Sequence, residues 1–250
     1  MNGMRTVAII VLLVLSAPAM APCANPEQET FAPNTEVADI PTASTLYARM
    51  FNLNFRAFRG GGILAKATAS FNNSLMLGVA VKANNVIGAG GIDFDNEPVK
   101  AVAKLKLINM AGSLVGSVGY DGMSYDRGVV VKAGVPTTTD LTRAHGLYGV
   151  LSNDLAMGGI MLQAHAGAGA NKFKGFKSSR DLNAFLGVSG ALSEQLTLGL
   201  EYDDMLNDHG YVNACVGYAW DVGLRLELDF KSLFRGVQNS HRLLKILYTF

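Results

Sequence analysis

From about residue 47 to the last residue, apolar and polar positions alternate with a period of two. Phe51, Leu53, Phe55 and Ala57 share one face of an extended segment, and Asn52, Asn54 and Arg56 share the other. A second strand, about 63–71, sets Ala65, Ala67, Ala69 and Phe71 against Lys66, Thr68 and Ser70. The third, about 75–82, sets Leu75, Leu77, Val79 and Val81 against Met76, Gly78, Ala80 and Lys82. The same alternation predicts strands at about 98–108, 113–120, 144–152, 155–167, 180–192, 196–203, 211–220 and 224–231. It ends in SHRLLKILYTF, where Leu244, Ile246, Tyr248 and Phe250 share a face and Lys245 and Thr249 the opposite one.

Polar or glycine-rich turns separate these runs: Gly60-Gly61-Gly62, Asn72-Asn73, Met110-Ala111-Gly112, Ser152-Asn153-Asp154, Ser193-Glu194-Gln195 and Asp221-Val222. Connections after every second strand are only a few residues, whereas most others are longer. The longest, about 121–143, holds Val129 to Lys132, a candidate strand extension above the membrane. A loose repeat marks three short turns: FNNSLMLG at 71–78, LSNDLAMGG at 151–159 and LSEQLTLG at 192–199. An even count of about twelve strands, with short turns on one side and long loops on the other, predicts an all-β fold. The expected form is a closed antiparallel up-and-down transmembrane β-barrel over 46–250. The last strand should close on the first, placing Lys245 beside Arg56. Two cations there call for an acid, water or anion between them.

Composition narrows the choice. The chain has 250 residues, 49% hydrophobic and 16% charged, with 28 glycines. That is too apolar for a disordered chain. Past the first residues, no run of 18 or more apolar residues offers a membrane-spanning helix. A soluble β-sandwich also alternates, but its outer face should be polar. Here the charged face is crowded with glycine and small residues, as an interior should be. Phe71, Tyr218, Trp220, Tyr248 and Phe250 fit an aromatic girdle at the periplasmic interface. A formal charge of +1 gives no electrostatic basis for nucleic-acid binding.

The first residues are read as targeting. Arg5 precedes the apolar run Val7–Ala17, and small residues follow. This predicts a signal peptide at 1–21, with cleavage anywhere from 19 to 24. Pro22 disfavours a lipoprotein reading of Cys23. Residues 22–45, with Pro26, Pro33 and Pro41 and an excess of acids, predict an extended periplasmic lead-in.

PTAST at 41–45, LGVAVKANNVIG at 77–88, VGYDG at 118–122, GLYGVLS at 146–152, LGLEYDD at 198–204 and the LYTF end carry a resemblance. They resemble a family of bacterial outer-membrane β-barrels related to the YjbH-like, exopolysaccharide-associated proteins. The resemblance implies an outer-membrane location among lipids and lipopolysaccharide, with polysaccharide-export proteins as partners. It also implies that Leu244, Ile246, Tyr248 and Phe250 form a C-terminal signal read by the barrel-insertion machinery. It carries no catalytic residue.

The expected lumen-lining charges are Arg56, Lys66, Lys82, Lys100, Lys104 and Lys106 on the early strands. Glu201, Asp203, Arg225, Glu227, Asp229, Lys231 and Lys245 are expected on the late ones. They would either set a transverse field in a narrow, anion-preferring pore or pair across a filled interior. Asp203-Asp204 with Asp208-His209 is the one constellation reminiscent of an outer-membrane protease. Both pairs sit at one loop, whereas the chemistry needs two facing walls. His145 and His165 point inward but have no serine recognisable as a partner. The acids from Asp93 to Glu97 lack the spacing of a calcium loop. The four histidines lack metal-ligand spacing, and no metal or cofactor is expected. The expected function is a non-enzymatic narrow pore or scaffold linked to cell-envelope or exopolysaccharide export. A passive small-solute porin comes second, and a hydrolase using Asp204 and His209 third.

Overall fold

The computed structural model describes residues 33–88, 91–110, 113–123, 127–132, 135–140, 145–157, 160–170, 182–203, 205, 210–234 and 241–250. The region read as a signal peptide lies outside them, as do Cys23, Asp204, Asp208 and His209.

Fourteen strands are found among the described residues. They are β1 (Phe51–Phe58), β2 (Gly62–Ser70), β3 (Leu75–Asn84), β4 (Asp93–Asn109), β5 (Leu114–Asp121), β6 (Arg127–Lys132) and β7 (Val135–Asp140). There follow β8 (Gly146–Met157), β9 (Ile160–Ala170), β10 (Leu182–Ala191), β11 (Leu196–Asp203), β12 (Tyr211–Ala219), β13 (Leu224–Lys231) and β14 (His241–Thr249). All except β6 and β7 form one closed antiparallel barrel of twelve strands. β6 and β7 pair with each other as a separate ribbon within the longest connection.

Closure is between β1 and β14, with Arg56 opposite Lys245 and Phe55 opposite Ile246, the register that counting strands predicts. Phe51 and Phe250 exchange both backbone hydrogen bonds at the seam, and their rings stack at 5.7 Å. Tyr248 stacks on Phe250 in turn, at 5.3 Å. The outer surface carries the apolar half of the alternation: Phe55, Val79, Leu105, Leu147, Leu200 and Ile246 are all exposed. A continuous apolar surface around a closed sheet is a liability in water and a requirement in lipid. The sheet has no open edge to hydrogen-bond, so the chain is a transmembrane barrel of the bacterial outer-membrane type.

Two strand boundaries differ from expectation. β8 runs through Ser152, Asn153 and Asp154 to Met157, and β9 restarts at Ile160. The polar triplet therefore lies inside a strand. Ser152 keeps lumen-facing parity with Tyr148 and Val150, and its hydroxyl has buried partners there. β4 begins at Asp93, inside the stretch read as an acidic loop, and pairs with Asn84 across a bulge between Val81 and Ala83.

The larger correction concerns the lead-in. Residues 33–45 do not trail in the periplasm. They enter the lumen, where Val37, Ala38, Ile40, Ala43 and Leu46 are buried to 1% exposure or less. Val37 N–H donates to the Ile40 carbonyl at 3.0 Å, and Thr42 N–H to the Thr35 carbonyl at 3.1 Å. Glu36 bridges Pro41, so the segment folds into a tight hairpin with its tip at Val37–Ile40. Beyond it, Thr45 and Ala48 donate to Asn73 at the β2–β3 turn, which leads the chain back to β1.

The interior thus has three levels. At the end holding Phe51 and Phe250 lies an open cavity. The hairpin fills the middle. Towards the opposite end, Phe58, Leu64, Ala80, Val102, Met123 and Leu243 make an apolar layer.

Candidate functional site

A hairpin inside a barrel has no neighbouring strand to satisfy its backbone. Buried N–H and C=O groups must nevertheless be paired. Here the wall side chains pair them. Glu201 Oε2 accepts from the N–H groups of Asp39 and Ile40, at 2.8 and 3.0 Å. Its other oxygen accepts from Asn213 Nδ2 at 2.7 Å, which fixes the carboxylate. Lys104 Nζ donates to three carbonyls, those of Thr35, Thr42 and Ser44, at 2.8–3.0 Å. Lys245 Nζ donates to the carbonyls of Val37 and Ala38. Ala43 is gripped on both sides: its N–H donates to Ser152 Oγ at 2.8 Å, and its carbonyl accepts from Ser117 Oγ at 2.5 Å.

Side chains of the hairpin are paired too. Glu36 forms ion pairs with Arg56 and Lys66, the second at 2.8 Å. Asp39 pairs with Arg56 and with Lys231. Arg225 Nη1 donates to Asn34 Oδ1 at 2.8 Å. The two cations that strand counting sets side by side are thus both answered. Arg56 is met by Glu36 and Asp39, and Lys245 by Glu227 at 2.6 Å and Asp229 at 2.9 Å.

The apolar tip has its own socket, formed by Tyr148, Val150, Phe185 and Cys215 around Val37, Ala38, Ile40 and Ala43. Two wall glycines make the space. A Cβ at Gly187 would stand 2.5 Å from Ile40 Cδ1, and one at Gly199 would stand 2.6 Å from Val37 Cγ1.

Arg56, Lys66, Lys82, Lys104, Glu201, Asp203, Glu227, Asp229, Lys231 and Lys245 are all buried in the lumen, while Lys100, Lys106 and Arg225 are half-buried. Asp203, expected among the lumen charges, accepts from Asn183 Nδ2 at 2.7 Å. Leu244, Ile246, Tyr248 and Phe250 are exposed on the lipid side.

Sequence reasoning missed the hairpin as a lumen element and missed the partners of His165. His165 Nδ1 lies 2.8 Å from Ser152 Oγ, and Nε2 lies 3.0 Å from Ser189 Oγ. With both ring nitrogens taken by serines, no carboxylate orients the ring, and Ser152 is fully buried beneath Ala43. This is a cross-wall brace under the hairpin. No local sequence signal reveals it, because the three residues come from three strands. His145 packs edge-on against Phe185 and Tyr148, and no hydrogen-bond partner is found for either ring nitrogen among the described residues. Cys215, Glu227 and Asp229 lie close enough to share a metal ion, but the Lys245 ammonium already stands between the two carboxylates.

The open cavity measures about 680 Å³. It is bordered by Asn52, Asn54, Gln163, Arg225 and the Glu36 side of the hairpin, and it reaches Lys245. Short turns surround it, which places it at the periplasmic mouth.

No protein-family model and no curated protein sequence matches the chain. Among solved structures, it is similar to the COG4313 outer membrane channel from Pseudomonas putida F1, at 12% identity and a TM-score of 0.40. That match covers 83% of this chain and 97% of the channel. OmpT, an outer membrane protein of Vibrio cholerae, matches at 9% identity and a TM-score of 0.31, over 81% of this chain and 98% of the other. A substituted form of the Rh. blastica porin matches at 12% identity and a TM-score of 0.25, over 81% and 98%.

Proposed function

We propose that the chain is a non-enzymatic outer-membrane barrel serving as a narrow pore or scaffold of the cell envelope, closed at rest by its own N-terminal hairpin. One observation carries this reading. Wall residues from many strands converge on fourteen or so residues of non-sheet backbone, which stop the lumen halfway. A lumen lined with donors and acceptors can be refilled by water or solute when the hairpin leaves.

The link to exopolysaccharide export is supported by the motif resemblance alone. A passive small-solute porin is disfavoured by the filled lumen. The hydrolase reading rests on Asp204 and His209, which lie outside the described residues; Asp203 accepts from Asn183, and His165 is held by two serines.

Planar-bilayer recording tests the proposal. The folded full chain should be closed most of the time, with brief openings. Weakening the hairpin grip with Glu201→Ala should lengthen the openings. No current from either protein, each verified as folded by heat-modifiable migration, would remove the pore and leave the scaffold.

A further inference from the structure

Six neighbouring strands each contribute one buried cation to the lumen: Lys231 on β13, Lys245 on β14, Arg56 on β1, Lys66 on β2, Lys82 on β3 and Lys104 on β4. The hairpin lays its two carboxylates on this ladder. Glu36 spans β1 and β2, and Asp39 spans β1 and β13. Arg56 sits between them and binds both. A guanidinium presents a planar fork suited to carboxylates, and it stays charged when buried.

We propose that this ladder is a carboxylate-binding site, that Glu36 and Asp39 occupy it as a tethered competitor, and that its free ligand is a small organic polycarboxylate. The inference rests on the reading of the hairpin as a displaceable stopper and names the class of solute that replaces it.

Three features support it. Lys66 keeps Asp121 and Lys245 keeps Glu227 and Asp229 on the wall, but Arg56 loses both Glu36 and Asp39 when the hairpin leaves. Removing the partners of a buried charge is costly, so a displacing solute that brings negative charge is favoured. Two acidic groups are replaced at once, which favours a ligand with at least two carboxylates over a monoacid. The cavity of about 680 Å³ leads from the periplasmic mouth to Glu36 and Lys245 and has room for a molecule of that size. Neutral sugars bring no charge to replace that of Glu36 and Asp39.

Citrate is the probe, measured by calorimetry on the folded full chain in detergent. Glu36→Gln with Asp39→Asn removes the resident charges but keeps the hairpin. That protein should bind citrate at least about tenfold more tightly than the parent, and adding Arg56→Gln should abolish the gain. Equal affinity in the parent and the double variant, or a gain that survives Arg56→Gln, would overturn the proposal.

Should the double variant fail to show heat-modifiable migration, the otherwise unaltered chain supplies a second measurement. A cysteine introduced by Ala38→Cys, fully buried at the hairpin tip, should react several-fold faster with a water-soluble maleimide when citrate is added. Sodium chloride of equal ionic strength should have no such effect. Unchanged labelling, or equal acceleration by chloride, counts against the site. Both measurements are independent of current, so a barrel that binds citrate yet never conducts would refute the pore and not the site.

Discussion

At the scale of single residues, the lumen is a set of one-to-many contacts. Glu201 accepts from two backbone N–H groups at the hairpin tip, those of Asp39 and Ile40. Truncation by Glu201→Ala leaves them unsatisfied, at a cost of about 1–3 kcal/mol. Glu201→Gln keeps one acceptor and should cost less. A spin label placed on the hairpin should report the difference: mobile in the alanine variant, close to immobile in the glutamine one. Gly187 and Gly199 make the opposite kind of contribution, by having no side chain. Gly187→Ala requires only that the end of Ile40 shift, whereas Gly187→Leu puts a branched side chain where Ile40 packs. The leucine variant should hold the hairpin out, with larger steady conductance and no loss of the folded barrel on unboiled gels. An unchanged closed state in that variant would show that Ile40 does not seat the hairpin.

At the scale of elements, the strands were legible and the hairpin was not. Alternation is a local property, so Phe51 to Phe58 or Leu224 to Lys231 announce themselves without their neighbours. Even the closing register follows from parity and count. The turn read at Ser152-Asn153-Asp154 failed because polar residues in a row mimic a turn, while inside a polar lumen they are simply wall. The segment 33–45 failed for a stronger reason. Its prolines and acids read as a linker, and every partner that folds it lies on a distant strand: Asp39 and Glu201 are 162 positions apart. The charges facing inward were legible as a set. What each one holds was not, because Lys104 and Lys245 grip carbonyls, which no side-chain pattern encodes. The seam between β1 and β14 can be tested as an element. The stacked rings of Phe51 and Phe250 contribute about 0.5–1.5 kcal/mol beyond their burial. Phe51→Ala should therefore lower the temperature at which the compact gel band is lost, while Leu182→Ala, away from the seam, should lower it less.

At the scale of the molecule, an open mouth, a hydrogen-bonded stopper and an apolar far layer lie in series along one axis. The far layer implies that moving the hairpin is not enough for free passage: Phe58, Leu64 and Leu243 still narrow the exit. Phe58→Ala alone should leave the closed state intact, because the hairpin still blocks. Combined with Gly187→Leu, it should raise single-channel conductance above that of Gly187→Leu alone. Equal conductance would place the narrowest point elsewhere. The hairpin itself is held in two different ways. On the hairpin, Glu201, Lys104, Lys245, Ser117 and Ser152 contact main-chain atoms, whereas Arg56, Lys66, Lys231 and Arg225 contact side chains. The first group is blind to amino-acid identity and the second reads it. Drift in the hairpin's sequence is therefore tolerated wherever size permits, except at Asn34 and the two acids. A lineage could retune how readily the barrel opens by changing Glu36 or Asp39 alone, without touching a single strand.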